Sequence, residues 1–153
     1  MRTLATLMVL IFVFGFTANA QYLKEVDGIY MAESDPYTGT YKRYYDNFQL
    51  KVEMSLQDGK KDGETKLYFE DGTLKEIRSY QNNKMHGEWV TYNKQGTKVA
   101  EAEYVNGKKT GTWKVWDDNG TLRVIMTYQK GEKTGTWKMW NEEGILTGET
   151  SYN

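Results

Sequence analysis

The sequence has no cysteine, one histidine and one proline in 153 residues. Without cysteine there is no disulfide framework, no thiolate zinc site, no cysteine nucleophile and no lipid-anchored N-terminal cysteine. A single histidine excludes any site that needs two. Excess charge is missing as well: 20 basic residues stand against 21 acidic ones, a formal net charge of −1. That balance gives no electrostatic reason to expect nucleic acid or an anionic membrane as partner. No stretch combines a helical apolar period with capping residues. The chain is rich instead in aromatics, at 14%, and in glycine, with 15 residues.

The longest apolar run, Leu4 to Phe16, is short of the roughly 20 residues that span a bilayer. It follows the positive Arg2 and precedes Ala18-Asn19-Ala20, an A-x-A cleavage pattern. Residues 1–20 therefore read as a secretory signal peptide, and the chain as exported, to a periplasm or beyond the cell. The absence of cysteine agrees with an oxidising destination. After cleavage no membrane-spanning segment is expected.

The remainder is periodic. Gly39, Gly63, Gly87, Gly111 and Gly135 recur every 24 residues without insertion or deletion. Two positions after each glycine lie Tyr41, Thr65, Trp89, Trp113 and Trp137, and five positions after lie Tyr44, Tyr68, Tyr92, Trp116 and Trp140. Further on, Phe48, Gly72, Gly96, Gly120 and Gly144 share a column, and so do Leu56, Tyr80, Tyr104, Tyr128 and Tyr152. Such a fixed period marks a repeat architecture. Each unit reads as two strands and two turns: Thr112 to Trp116 is rich in β-formers, Asp117-Asp118-Asn119-Gly120 supplies a turn, and Thr121 to Gln129 is a second strand. The fold expected is all-β, a single-layer twisted antiparallel meander of consecutive hairpins with about ten strands. Residues 21–36 read as an N-terminal capping segment in which Val26 to Ala32 covers the first edge, with Ser34-Asp35-Pro36 as a break. Residues 37–153 read as five repeats.

Alternation of side chains puts Trp113 and Val115 on one face, and Lys114 and Trp116 on the other. In the second strand Leu122, Val124, Met126 and Tyr128 are expected to share a face. Two aromatic columns are thus candidate binding surfaces: Trp89, Trp113 and Trp137, and Tyr44, Tyr68, Tyr92, Trp116 and Trp140.

The unit G-x-W-x-x-[YW]-x-x-x-G-x-[LK]-x-x-x-x-x-[YL], which Gly111 to Gly120 begins with little change, resembles the bacterial variant of the MORN (membrane occupation and recognition nexus) repeat. The resemblance covers Tyr37 to Asn153. It implies a curved sheet of hairpins that serves as a scaffold or binding surface, with no catalytic motif to carry over. Some bacterial members are described as antitoxin-like, and others are exported. A weaker similarity is to the choline- and glucan-binding cell-wall repeats, which also place G-x-W in hairpins.

Catalytic chemistry has little to stand on. His86 shares its column with Asp62, Thr110 and Thr134 and reads as an ordinary turn residue. The turn carboxylates Asp46, Glu70, Asp71, Asp117, Asp118, Glu142 and Glu143 lack the D-x-[DN]-x-[DN]-G order of a calcium loop. Glu64 and Glu88 give way to Thr112 and Thr136 in the next repeats, so they do not form a conserved-in-phase hydrolytic pair. No cofactor, no metal and no enzymatic activity are expected. The function expected is an exported scaffold that binds a protein or an envelope component along its aromatic sheet. A carbohydrate-binding module is the alternative, and the C-terminal edge offers a route to self-association.

Overall fold

A computed structural model describes residues 22–153, so the expected signal peptide lies outside the described residues. Thirteen strands follow in chain order. Three short ones form a small sheet: β1 (Lys24–Val26), β2 (Ile29–Ala32) and β3 (Asp35–Pro36). Ten longer ones form a second sheet: β4 (Gly39–Tyr44), β5 (Leu50–Gln57), β6 (Lys60–Tyr68), β7 (Leu74–Gln81), β8 (Lys84–Tyr92), β9 (Lys98–Val105), β10 (Lys108–Trp116), β11 (Leu122–Gln129), β12 (Glu132–Trp140) and β13 (Leu146–Tyr152). In the large sheet every strand pairs with its sequence neighbours, antiparallel throughout, and β4 and β13 are outermost. This is the open hairpin meander that the 24-residue period predicts.

Two kinds of turn alternate. The longer loops are closed by Asx side chains. Asn93, Asp117 and Asn141 each accept a hydrogen bond from the backbone N–H four residues on, at 2.9, 2.9 and 2.8 Å. Asn47 and Asp71 do this from two positions later in their own loops, binding the N–H groups of Gln49 and Thr73. The return turns clamp successive repeats together. The N–H groups of Gly59, Asn83, Gly107 and Gly131 donate to the carbonyls of Tyr37, Lys61, Met85 and Lys109, at 2.8–2.9 Å. Each bond joins residues 22 positions apart, so each repeat is tied to the one before it.

The strands are not regular. Between Arg78 and Tyr80, β7 faces an irregular stretch of β8 that carries Gly87, and its register shifts there. Gly87 has φ +90°, and a Cβ would sit 3.2 Å from the Cβ of Ser79. A left-handed backbone in a crowded bulge is a place for glycine alone. A second bulge explains one departure from simple alternation. Val115 pairs with Val124 but Trp116 pairs with Leu122, so Leu122 lies across from Trp116 rather than keeping phase with Val124.

The N-terminal segment also departs from expectation. It does not extend the sheet at its edge. Leu23, Tyr30, Ala32 and Tyr37 pack with Met54, Leu56, Tyr41 and Val52, so β1–β3 lie on one face of the first hairpins. Asp35 and Pro36, expected as a break, pair with Ala32 and Met31. The cap covers the place where the Trp column holds Tyr41 and Thr65 instead, and where Leu56 replaces Tyr. Aliphatic side chains there need another layer to bury them.

Two predictions arise. At the column occupied by Gly72, Gly96, Gly120 and Gly144, the first repeat has Phe48 at φ +65°, an unfavourable backbone for a bulky side chain. Phe48→Gly is expected to raise stability by about 1 kcal/mol, and Gly87→Ala to lower it by about 1–2 kcal/mol, both read from urea denaturation. In the cap, burial and then the Glu25 carboxylate push the Tyr30 phenol up to about 12 from 10.0. The folded chain therefore holds this proton more tightly than the unfolded one, and that stabilisation is complete below pH 10 and lost as pH rises toward 12. Over this window the urea midpoint of the Tyr30→Phe variant should fall less steeply than that of the wild type.

Candidate functional site

The two aromatic columns are built differently. On one face, the Trp column and the Tyr column interleave into a single ladder: Tyr80, Trp89, Tyr104, Trp113, Tyr128, Trp137, Tyr152. Ring centroids lie 5.9, 4.9, 5.1, 5.0, 5.2 and 4.8 Å apart along it, with tilts of 50–58°. Tilted pairs at this spacing are worth about 0.5–1.5 kcal/mol each beyond the area they bury. Glycine makes the ladder possible, since Tyr80, Tyr104, Tyr128 and Tyr152 pair across from Gly63, Gly87, Gly111 and Gly135. With no side chain opposite, each phenol ring has room to lie over the backbone. Tyr104 and Tyr128 are only 9% and 8% exposed, although among the described residues no second sheet covers them.

The tryptophans also satisfy the backbone at the bulges. The indole N–H of Trp89 donates to the Ser79 carbonyl at 3.2 Å, that of Trp113 to Glu103 at 3.2 Å and to Thr110 at 3.1 Å, and that of Trp137 to Thr127 at 3.1 Å. Cations lie over the rings. The Lys109 ammonium is 4.6 Å from the Trp113 centroid and 4.8 Å from that of Tyr128; Lys133 sits at 4.6 Å over Trp137 and 5.0 Å over Tyr152. Arg78, paired with Glu76 at 2.7 Å, covers Trp89 at 5.1 Å. Trp89, Trp113 and Trp137 are thus wedged between tyrosines, with their only donor used.

The opposite face carries charge and the second column. Register places Lys42, Glu53, Lys66, Ile77, Val90, Glu101, Lys114, Ile125, Lys138 and Glu149 in one row across the sheet. Ion pairs run along it: Lys42–Glu53 at 2.8 Å, Lys138–Glu149 at 3.2 Å and Lys114–Glu101 at 3.3 Å. The Lys98 and Lys114 ammoniums hold the Glu101 carboxyl below its ordinary range, the Lys98 hydrogen bond being the larger cause. Exposed pairs of this kind contribute about 0–1 kcal/mol each, and they keep this face wet. The in-phase lysines Lys42, Lys66, Lys114 and Lys138 are each ion-paired.

Beside that row, toward the Asx-closed turns, lie Tyr44, Tyr68, Tyr92, Trp116 and Trp140. Their cross-strand partners are Leu50, Leu74, Lys98, Leu122 and Leu146. Together they make an apolar band along one margin of the charged face. These rings do not interlock as the ladder does. Tyr44 is 52% exposed, and Lys98 lies 4.9 Å from the Trp116 centroid. Among the described residues the indole hydrogen bonds belong to Trp89, Trp113 and Trp137, so Trp116 and Trp140 keep a free donor. Phe48, 88% exposed, stands on the loop that joins Tyr44 to Leu50. Composition alone could not separate this band from the ladder, because both show Trp and Tyr at fixed phase; Phe48 carried the available signal, a large ring in a glycine column.

His86 lies in β8, where its Nδ1 accepts a hydrogen bond from the Asn106 N–H at 3.4 Å. Among the described residues no three histidines or carboxylates converge as metal ligands, and no helix is long and apolar enough to cross a membrane.

The ladder geometry predicts a large effect on stability. Trp113→Ala removes two ring contacts, an indole hydrogen bond shared between two carbonyls and a cation contact, and should cost about 3 kcal/mol in chemical denaturation. Lys109→Met should cost under about 1 kcal/mol, since Met85 already occupies the equivalent position.

No curated protein matches the chain in sequence. The MORN repeat variant matches four tandem segments, residues 61–82, 85–106, 109–130 and 133–153, which together exceed half of the chain and share its 24-residue phase. MORN repeats commonly bind proteins or membranes, and they form a repeat scaffold rather than a known enzyme family. By its sequence period, its hairpin sheet and these four matches, the chain belongs to the MORN repeat variant family.

Proposed function

We propose that this protein is an exported, non-catalytic scaffold that binds a protein partner through the band of Tyr44, Tyr68, Tyr92, Trp116 and Trp140. One observation carries the choice of surface: Trp116 and Trp140 keep free indole donors and non-interlocked rings, whereas Trp89, Trp113 and Trp137 spend both on the fold. Amphipathic rings with an apolar body and a free polar tip are enriched at binding hot spots. Phe48 supports the reading. An 88% exposed ring in a left-handed conformation is unfavourable for folding, and such outliers concentrate where function needs them. Export rests on residues 1–20, whose charge, apolar run and A-x-A ending fit a signal peptide. A periplasmic or extracellular site separates this chain from the antitoxin-like role described for some relatives, which would require a cytoplasmic target.

The carbohydrate reading is weaker. Sugar stacking needs an open ring face, and each Trp of the ladder has a tyrosine on both sides. The Tyr44-to-Trp140 band offers such faces, but there Leu50, Leu74, Leu122 and Leu146, with Lys98 as the one polar member, give a mostly apolar rim with few hydrogen-bonding groups.

Affinity capture from envelope extract, with mass spectrometry of the retained species, tests the assignment. A Trp116→Ala/Trp140→Ala bait, shown to be folded by circular dichroism, should lose the partner that the wild type retains. Retention of the same partner by that bait would exclude the band as the binding surface. Depletion onto insoluble polysaccharide, reversed by soluble sugar, would favour a glycan ligand instead.

A further inference from the structure

The large sheet has two outermost strands, β4 and β13, and they are complementary. β4 reads Gly39-Thr-Tyr-Lys-Arg-Tyr44 and is positively charged through Lys42 and Arg43. β13 reads Leu146-Thr-Gly-Glu-Thr-Ser-Tyr152 and has Glu149 as its one charged side chain. Neither has a strand on its outer side among the described residues. The N-terminal segment packs on the face of the first hairpins and adds no strand to β4, whose Thr40, Lys42, Arg43 and Tyr44 are all exposed, although the Tyr37 hydroxyl donates to the Thr40 carbonyl at 3.3 Å. On β13, Glu149, Thr150 and Ser151 are exposed too. Natural sheets usually blunt such edges, and β13 has neither the lysine nor the proline that would do so.

The repeat fixes what each edge would accept. Inside the sheet, β11 meets β12 with Val124 opposite Met139, Ile125 opposite Lys138 and Tyr128 opposite Lys133. Moving this register by whole repeats of 24 residues brings β13 against β4, with Gly148 opposite Arg43, Glu149 opposite Lys42 and Tyr152 opposite Tyr37. Glu149 then has lysines on both sides, Lys138 at 3.2 Å within its own chain and Lys42 across the junction, just as Glu53 lies between Lys42 and Lys66 on its neighbouring strands. The Tyr41 ring falls beside Tyr152, where the ladder would otherwise end, in the position Trp137 takes beside Tyr128. We propose that copies of this chain join head to tail, β13 of one against β4 of the next, continuing the meander across the junction. The contact is heterologous, so it propagates or closes into a ring rather than stopping at a dimer. A β13–β13 pairing is disfavoured because it would bring the two Glu149 carboxylates to the same seam.

Two measurements test this on the purified protein. Sedimentation equilibrium should show concentration-dependent assembly of the wild type. Glu149→Lys and Lys42→Glu should each weaken it roughly fivefold or more, and an equimolar mixture of the two variants, which restores opposite charges at every junction, should recover it. A wild type that stays monomeric at the highest attainable concentration, or reversed-charge variants that assemble as the wild type does, would overturn the proposal. Because the chain lacks cysteine, introduced thiols report the register directly. A mixture of Lys42→Cys and Glu149→Cys proteins should form a disulfide-linked dimer under mild oxidation, since cross-strand partners lie within disulfide reach. A control mixture of Lys42→Cys and Lys138→Cys, whose second site is on the inner strand β12, should not. Equal cross-linking of both mixtures would mean random collision and would also overturn the proposal.

Discussion

The structure depends on the tryptophan at each bulge. A sheet of one layer has no opposing layer to bury its apolar side chains, and a bulge leaves backbone groups without regular partners. Trp89, Trp113 and Trp137 answer both problems with one side chain. The ring fills the gap between two tyrosines of adjacent strands, and the indole N–H reaches the carbonyl at the irregularity. The glycine two residues earlier permits the backbone that places the ring there. Gly-x-Trp is therefore a small machine in which the glycine, the bulge and the indole are useful only together.

Where that machine is missing, the chain compensates. The first two repeats hold Tyr41 and Thr65 at the Trp position, and there the N-terminal strands lie on the face and supply Leu23, Tyr30 and Tyr37 as cover. Arg78, held by Glu76, bridges the gap between Thr65 and Trp89. From Trp89 onward the ladder covers itself. The division of labour between the two faces follows. One face carries the interlocked ladder, and the other has paired charges and a margin of aromatic rings that stand outside the ladder.

Much of this was legible in the sequence. The spacing of Gly39, Gly63, Gly87, Gly111 and Gly135 specified hairpins, their order and their antiparallel pairing, because an unbroken period leaves neighbouring repeats no other way to stack. The columns were visible, but their meaning was not. Trp89 and Tyr104 belong to different columns, and it is the pairing of Gly87 with Tyr104 and of Trp89 with Ala102 that makes them diagonal neighbours, with rings 4.9 Å apart. Strict alternation failed at Leu122 because a shifted register changes which neighbour a side chain faces, and a bulge leaves a faint mark in composition. The cap was read as covering the first edge; that it lies on the face is decided by Met54 and Leu56, which it buries and whose need for cover is a tertiary matter.

The connectivity also sets how the molecule carries load. Strands follow one another across the sheet, so a pull applied at Gly39 and Tyr152 acts across the strands rather than along them. Hydrogen bonds loaded in that direction open one ladder at a time, as a zipper does, and each opening is opposed only by the ladder and the side-chain contacts of that one strand pair. Such a sheet yields progressively, releasing length in steps of one hairpin, and it can shorten again by the same local contacts because each repeat needs only its neighbour to re-form. Anything mounted on this sheet would hang on an extensible tether.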